Sequence, residues 1–325
     1  MKLLVTGGAG YIGSVVAAQL VAAGHEVTVL DDLSTGHADA VPAGARFVRG
    51  ELRADAAAVL AGGFDAVLHF AAKSLVGESV ASPSLYWSHN LGGTLALLEA
   101  MRSASVATIV FSSTAAVYGE PAVVPVEETA PPRPTSPYGA SKLAVDTALT
   151  EYARLHEFAA VSLRYFNVAG AFREVGGRWL GERHTTETHL IPNILTAARD
   201  HSGPVSIYGD DYPTADGSCI RDYIHVSDVA AAHLLALSAC RPAEHKIYNL
   251  GCGTGYSNFE VLTACREVTG IEIPVKITGR RAGDPAVLVA SSGRISCDLG
   301  WKPEHGLRDV VADAWACAQD PRGAR

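Results

Sequence analysis

The stretch VTGGAGYIGS, Val5 to Ser14, decides how the rest of the chain is read. The apolar run before it, Leu3 to Val5, has the character of a buried strand, and residues 11–23 read as a helix. Between them glycines fall at Gly7, Gly10 and Gly13. In a strand-to-helix turn that cradles a pyrophosphate, each glycine answers a separate need. The first permits the tight turn, the second lets backbone approach the phosphates, and the third lets helix pack on strand. Free N–H groups and the helix dipole then favour negative charge at the helix start. A glycine triplet alone also serves purely structural turns, so its neighbours decide the matter.

The next apolar run, VTVL (27–30), ends at Asp31-Asp32, eighteen residues beyond Gly13. A carboxylate at that strand end accepts hydrogen bonds from a ribose diol and repels a 2′-phosphate, which points to NAD rather than NADP. Further strand-like runs follow at ARFV (45–48), AVLHF (66–70), ATIVFSS (107–113) and AAVSLRYF (159–166). Helical stretches at 83–103 and 138–157 separate some of them. Strand–helix alternation with near-continuous apolar strands predicts an α/β fold, a Rossmann-type doubly wound parallel sheet. Beyond about residue 170 the pattern loosens, and KIYNLG (246–251) reads as a strand returning to the sheet. The expected organisation is therefore interleaved. Residues 1–170 with about 226–250 form a dinucleotide-binding domain, and about 171–225 with 251–325 form a smaller mixed α/β substrate domain.

Net charge of −8 across 325 residues argues against a nucleic-acid footprint, which needs a basic patch. An anionic substrate would then be held by local arginines. The six cysteines are scattered, with no CxxC pair and no histidine spacing of a zinc site. They read as reduced thiols in a cytoplasmic protein, and no metal is expected. MKLLVTGGAG lacks the long apolar core of a signal peptide, and no apolar run approaches a membrane span. The longest, VAAAHLLALSAC (229–240), reads as a buried helix.

The chemistry is carried by SPYGASK, Ser136 to Lys142. Tyr138 and Lys142 lie one helical turn apart on one face, behind a Ser136 cap and a Pro137 suited to a first turn. With eleven tyrosines in the chain, this spacing would arise by chance about 0.2 times, and it occurs once. A nearby ammonium would stabilise the phenolate and make tyrosine a usable base. Upstream, FSSTAAVYG (111–119) carries Ser112, Ser113 and Thr114 at a strand end, where open α/β sheets bind ligands. A hydroxyl there can bond a substrate hydroxyl that is being oxidised.

With these residues in hand, the chain resembles the extended short-chain dehydrogenase/reductase superfamily and, within it, the UDP-glucose 4-epimerase family. The matching segments span nearly the whole length. They are VTGGAGYIGS, LDDLSTG, HFAA…VGESV, YWSHNLGGT, FSSTAAVYG, SPYGASKLAVD, LRYFNVAGA, THLIPN, YGDDYPTADGSCIRDYIHV, YNLG and RRAGDPAVLVA. The RDYIHV and RRAGDP blocks are the most specific, because a generic dinucleotide-binding protein has no need of them.

The resemblance implies a tightly held NAD and a UDP-sugar substrate, interconverted at C4 through a transient 4-keto sugar. Tyr138 would be the general base, Lys142 its tuner, and Thr114 the hydroxyl partner at the sugar O4. For the cofactor it implies Gly7, Gly10, Tyr11, Ile12 and Gly13 in the turn, with Asp31, Asp32, Leu33, Ser34, Thr35 and Gly36 at the adenosine ribose end. Glu51, Leu52, Phe70, Ala71, Ala72, Asn90 and Ser112 complete that set, and Phe166 would flank the nicotinamide. For the substrate it implies Asn167, Arg221 and Arg281 at the diphosphate, Tyr208 and Leu190 at uracil, and Asp284 at the uridine ribose. His189 would lie near the nucleotide, and the other histidines, His69, His225 and His233, read as satisfied structural groups. A homodimer packed through the helices at 83–103 and 138–157 is the expected assembly.

Three positions depart from the family pattern. Gly50-Glu51 stands where many members have Gly-Asp, and Lys73-Ser74 places its lysine one residue early. Leu288 occupies a position where a large tyrosine excludes N-acetylated sugars and a small residue admits them, so it leaves the sugar range open. Thr114 is followed by Ala115 and Ala116, so the acidic pair of the related dehydratases is missing and epimerisation is favoured. Epimerases of UDP-GlcNAc or of a UDP-pentose remain alternatives, as does a non-catalytic NAD-binding protein.

Overall fold

Seven strands form one parallel sheet in the computed structural model, which describes residues 1–281 and 283–320. They are β1 (Lys2–Thr6), β2 (Glu26–Asp31), β3 (Arg46–Arg49), β4 (Ala66–His69), β5 (Thr108–Thr114), β6 (Ala159–Tyr165) and a seventh strand, Glu244–Leu250. Their spatial order is seventh, β6, β5, β4, β1, β2, β3, every neighbouring pair running parallel. The order reverses between β1 and β4, and the chain leaves those two strands toward opposite sides. A crevice must then open at their carboxyl ends. Leu3, Leu4 and Val5 of β1 are fully buried, as a strand covered on both faces requires.

Both helix layers follow from sequence pattern. Helix Tyr11–Ala22 packs beside the small-residue helix Val226–Ala239 on one face. Helices Leu52–Leu60, Gly93–Ser103 and Pro137–His156 cover the other. The last of these begins where its signals place it. Ser136 Oγ accepts from the Gly139 N–H at 3.2 Å, Pro137 takes the first helical position, and Glu157 ends the helix in a left-handed conformation. The helix expected over 83–103 is broken into three pieces: Pro83–Tyr86, a π-helical turn at Trp87–Gly92, and Gly93–Ser103. The wider turn carries Asn90, whose side chain accepts from Lys73 N at 2.8 Å and donates to Lys73 O at 3.0 Å.

After β6 the chain builds small sheets over the carboxyl end of the large one. Asn167–Ala169 pairs with Tyr223–His225, and Ile220–Arg221 sits between Tyr256–Ser257 and Val287–Leu288. Helices Leu190–Asp200, Asn258–Thr269 and Leu307–Gln319 share a separate apolar core. Among the described residues, no helix is long and apolar enough to cross a membrane.

The glycine turn leaves no room for side chains where it meets the sheet and its own helix. A Cβ on Gly7 (φ +71°) would lie 2.5 Å from Ala71 N, and one on Gly13 would collide with the Gly7 carbonyl oxygen. Alanine is otherwise the better helix residue by about 1 kcal/mol. Gly13→Ala should nonetheless lower unfolding stability by about 1–3 kcal/mol through overpacking. Urea denaturation measures that loss, and the absorbance ratio at 260 and 280 nm of the purified protein should show loss of bound dinucleotide.

Candidate active site

The crevice at the carboxyl ends of β1 and β4 is a cavity of about 560 Å³ that runs from Asp31 to Leu288. At one end lies the glycine turn. Gly10 caps helix Tyr11–Ala22 without any side-chain hydrogen bond, so the first N–H groups face the cavity unclaimed by a cap. The Asp31 carboxylate accepts from Ala9 N at 2.9 Å and from Leu33 N at 2.8 Å, and burial raises its pKa. Each oxygen keeps acceptor capacity for a diol. Asp32 accepts from Ser34 N at 2.8 Å and shapes the loop that follows. A diphosphate fits the turn and a ribose fits the acid, so these residues suit a dinucleotide such as NAD.

Most of the predicted residues line this one cavity. Gly7, Gly10, Tyr11, Ile12, Gly13, Asp31, Asp32, Ser34, Thr35, Glu51, Leu52, Phe70, Ala71 and Ala72 do so at the β1–β4 end. Ser112, Thr114, Tyr138, Lys142, Phe166, Asn167, His189, Arg221, Asp284 and Leu288 do so toward the other end. Six predicted residues stand back from it. Leu33, with φ +61°, and Gly36 shape the loop behind Asp31. Asn90 braces the backbone of Lys73 from beneath. Leu190 packs against the second core, and Tyr208 and Arg281 pair with each other, the guanidinium 3.9 Å from the ring centre. Lys73 lines the cavity and extends its Nζ to within 3.3 Å of Ser34 Oγ, bridging the β4 end to the ribose loop.

Three side chains converge at the end of β5. Thr114 Oγ1 accepts from Ala116 N at 3.1 Å and lies near enough to Tyr138 to favour the ionised phenol. Burial raises the Tyr138 pKa, and the Thr114 hydroxyl opposes that rise. Lys142 is buried, donates to the Ser112 carbonyl at 2.7 Å and sits 4.7 Å over the Phe111 ring. Burial pulls its pKa from 10.5 down to about 7, with the Asp146 carboxylate holding it up. The expectation that Lys142 lowers the Tyr138 pKa is thus not what the protein alone produces. Desolvation governs the phenol, and the Lys142 amine donates to the Ser112 carbonyl instead.

At the far end, register sets the contacts. Arg221 is the Cα partner of Leu288 in the small sheet, so both enter the same wall. Arg221 donates to the carbonyls of Ile220 at 2.9 Å and Pro285 at 2.8 Å, and lies 3.6 Å from Asp284 Oδ1. Its neighbour Asp222 faces away. That buried carboxylate accepts from Cys252, Gly253 and Ala290 N–H groups, and burial lifts its pKa to about 6.

Several residues that sequence reasoning did not single out belong to this region. Asp146, one turn beyond Lys142, is ion-paired at 2.8 Å with Arg164, and both are almost fully buried. Arg164 also donates to Tyr118 Oη at 2.9 Å. The (i, i+4) spacing from Lys142 was the signal available. Glu182, Arg183 and His184 form part of the cavity wall, and Arg183 is ion-paired with Asp39 at 2.8 Å. His69 is locked between Thr6 and Thr94 at 2.7 and 2.8 Å, and burial drives its pKa down to about 3. His233 bonds Tyr165 Oη at 2.6 Å. His225 stacks on His305 with ring centres 4.3 Å apart.

The chain matches the NAD dependent epimerase/dehydratase family over residues 3–251. It is 56% identical to a UDP-glucose 4-epimerase of Streptomyces lividans and 54% identical to one of Corynebacterium glutamicum, in each case over 97% of this chain and 95% of the relative. Among solved structures, it is similar to the Bifidobacterium longum UDP-glucose 4-epimerase in complex with NAD⁺ and UDP. That match has 36% identity, a TM-score of 0.91, and coverage of 99% of this chain and 100% of that one.

The depressed Lys142 pKa gives a signed pH dependence. Between about 7 and 10.5 the unfolded lysine carries a proton that the folded one lacks, so this group's burial destabilises the fold more as pH falls. The penalty is complete below pH 7 and vanishes above 10.5. The stability of Lys142→Met relative to the unsubstituted protein should therefore be most favourable at pH 7 and decline toward pH 10. Urea midpoints across that range measure it, and a pH-independent difference would contradict the burial of the amine.

Proposed function

The chain belongs to the NAD dependent epimerase/dehydratase family, and on that premise we propose that it interconverts UDP-glucose and UDP-galactose at C4, with tightly held NAD. The observation that carries this reading is the meeting of Thr114, Tyr138 and Lys142 in the cavity that Asp31 closes at its other end. Held by the glycine turn and Asp31, NAD would supply the hydride acceptor and, in its oxidised form, a positive charge.

The chain's own part is proton handling and grip. Thr114 orients the sugar 4-hydroxyl, and Tyr138 takes its proton as C4 is oxidised to the ketone. After the hexose turns, C4 takes the hydride back on its opposite face and Tyr138 returns the proton to the carbonyl oxygen. Raised by burial, the phenol needs added positive charge to ionise, and Lys142 supplies part of it in its protonated form. Arg221 holds the diphosphate with Asn167, Asp284 takes the uridine ribose, and Leu288 and Phe166 border the hexose; Arg281 would join the diphosphate only by leaving the Tyr208 ring. Ala115 and Ala116 offer no acid or base, so water is not eliminated from the keto sugar.

The same reading extends to organisation. Residues 1–170 with about 226–250 form the NAD domain, and the remainder carries the nucleotide-sugar. Exposed Trp87, Leu95 and Leu155, on the helical stretches expected at the interface, support a homodimer. Net negative charge and unpaired cysteines support a cytoplasmic protein that does not bind nucleic acid.

Purified protein given UDP-galactose without added NAD should form UDP-glucose; no turnover would sink the assignment. UDP-GlcNAc and UDP-arabinose in parallel define the sugar range at Leu288. Tyr138→Phe should cut turnover by about 10²–10⁴-fold while the protein retains its NAD. Full activity in that variant would overturn the base.

A further inference from the structure

We infer that Glu182, His184, Glu187 and His189 form a binding site for a divalent transition-metal ion, zinc in the first instance, on the rim of the cavity. The four residues lie within eight positions of one segment, between the short strand Trp179–Leu180 and helix Leu190–Asp200. Their ligand atoms all fall within 4.8 Å of one another. His184 Nδ1 is 3.3 Å from Glu182 Oε1 and 3.3 Å from Glu187 Oε2, and His189 Nδ1 is 3.4 Å from Glu187 Oε1. Donors at about 2.0–2.1 Å from a tetrahedral zinc are themselves about 3.3–3.4 Å apart. Each of those three separations has the length of such an edge, and because the two to Glu187 end on different oxygens, that carboxylate would turn to present one of them to the ion. The fourth, His189 Nδ1 to Glu182 Oε1 at 2.5 Å, is a short hydrogen bond that an ion would open.

An independent observation points the same way. His184 Nδ1 is buried between two carboxylates, yet its alignment with them makes no hydrogen bond. An imidazole nitrogen aimed between two carboxylate oxygens is arranged for a shared cation. The Glu182 side chain is only 7% exposed, so its charge must be balanced locally. Two neutral imidazoles and two carboxylates around a dication leave no net charge. The competing arrangement puts a proton on each imidazole in place of the ion.

The surroundings give the site a function. Arg183, within the segment, is ion-paired with Asp39, and its carbonyl lies 3.1 Å from His37 Nε2. These partners belong to the loop after Asp31. An ion would therefore pin the cavity wall against the loop that borders the ribose end, without entering the chemistry at Tyr138.

The test uses full-length protein freed of any affinity tag, carrying Cys297→Ser to remove the exposed thiol. The protein is stripped with dipicolinate, loaded with zinc chloride and gel-filtered, and its metal is measured by mass spectrometry. One zinc per chain is expected, with His184→Ala and Glu187→Gln each weakening binding about a hundredfold or more, beyond the loss seen for outer-shell changes. Cobalt(II) loading of the same protein provides a reading that does not depend on variants folding. The expected spectrum is a four-coordinate visible band without thiolate charge transfer. Trace zinc only, undiminished zinc in the His184→Ala/Glu187→Gln double variant, or a thiolate band from cobalt would each overturn the proposal.

Discussion

The architecture depends on one steric constraint: the turn after β1 must touch the end of β4 through bare backbone. Gly7 faces the Ala71 backbone at a distance no side chain could share, and Gly13 lets the first helix start directly over the Gly7 carbonyl. Because both contacts are backbone to backbone, the helix N-terminus arrives at the crossing point of the sheet with its N–H groups uncovered. The His69 bridge between Thr6 and Thr94 ties β1, β4 and the helix of Thr94 beneath that point. Its depressed pKa keeps the imidazole neutral, so it adds no charge beneath the glycine turn.

A second constraint aligns the chemical end with the first. Helix Pro137–His156 must deliver Tyr138 to Thr114 across a strand boundary, and a buried ion pair fixes its rotation. Asp146 accepts from Arg164 of β6 and from Ser113 of β5, and Arg164 continues through Tyr118 to Asn249 of the seventh strand. Breaking such a pair by removing one partner costs about 3–5 kcal/mol, since the other charge stays buried. The carboxylate also supports the Lys142 ammonium against desolvation. One acid thus fixes the helix that carries Tyr138 and supports the charge of the amine one turn further along it.

Much of this was legible in the chain because the relevant patterns are local. Strand runs, the glycine turn, the acid at the end of β2 and the Tyr138–Lys142 spacing are set by periods of two, three or four residues. What escaped notice depends on contacts distant in sequence. Asn90 was expected at the cofactor, yet the π-turn swings its amide to Lys73, a consequence no propensity encodes. Arg281 and Tyr208 stack on each other rather than lining the cavity, since their segments meet through the pairing of Val205–Tyr208 with Val275–Thr278. Acids and histidines alternate in Glu182–His189, but their spacing matches neither the cysteine nor the histidine pattern of a zinc site, and only the fold brings the four side chains together.

Grip and tolerance in the substrate end are coupled by a single strand register. Arg221 and Leu288 are paired residues of neighbouring strands, so the guanidinium and the isobutyl group face the cavity together. Slipping that pairing by one residue would turn both out of the wall and bring Ile220 and Asp222 or their neighbours in. Asp222 prevents the slip, because its carboxylate is already committed to three backbone N–H groups on the opposite side. On the function proposed above, nucleotide grip and the room left for the sugar would then be set by one rigid unit. A hexose that must turn over within its pocket would benefit from such an arrangement. The guanidinium proposed for the phosphates would hold the nucleotide through the turn, while the leucine proposed to border the sugar is apolar and offers no directional bond to hold one face.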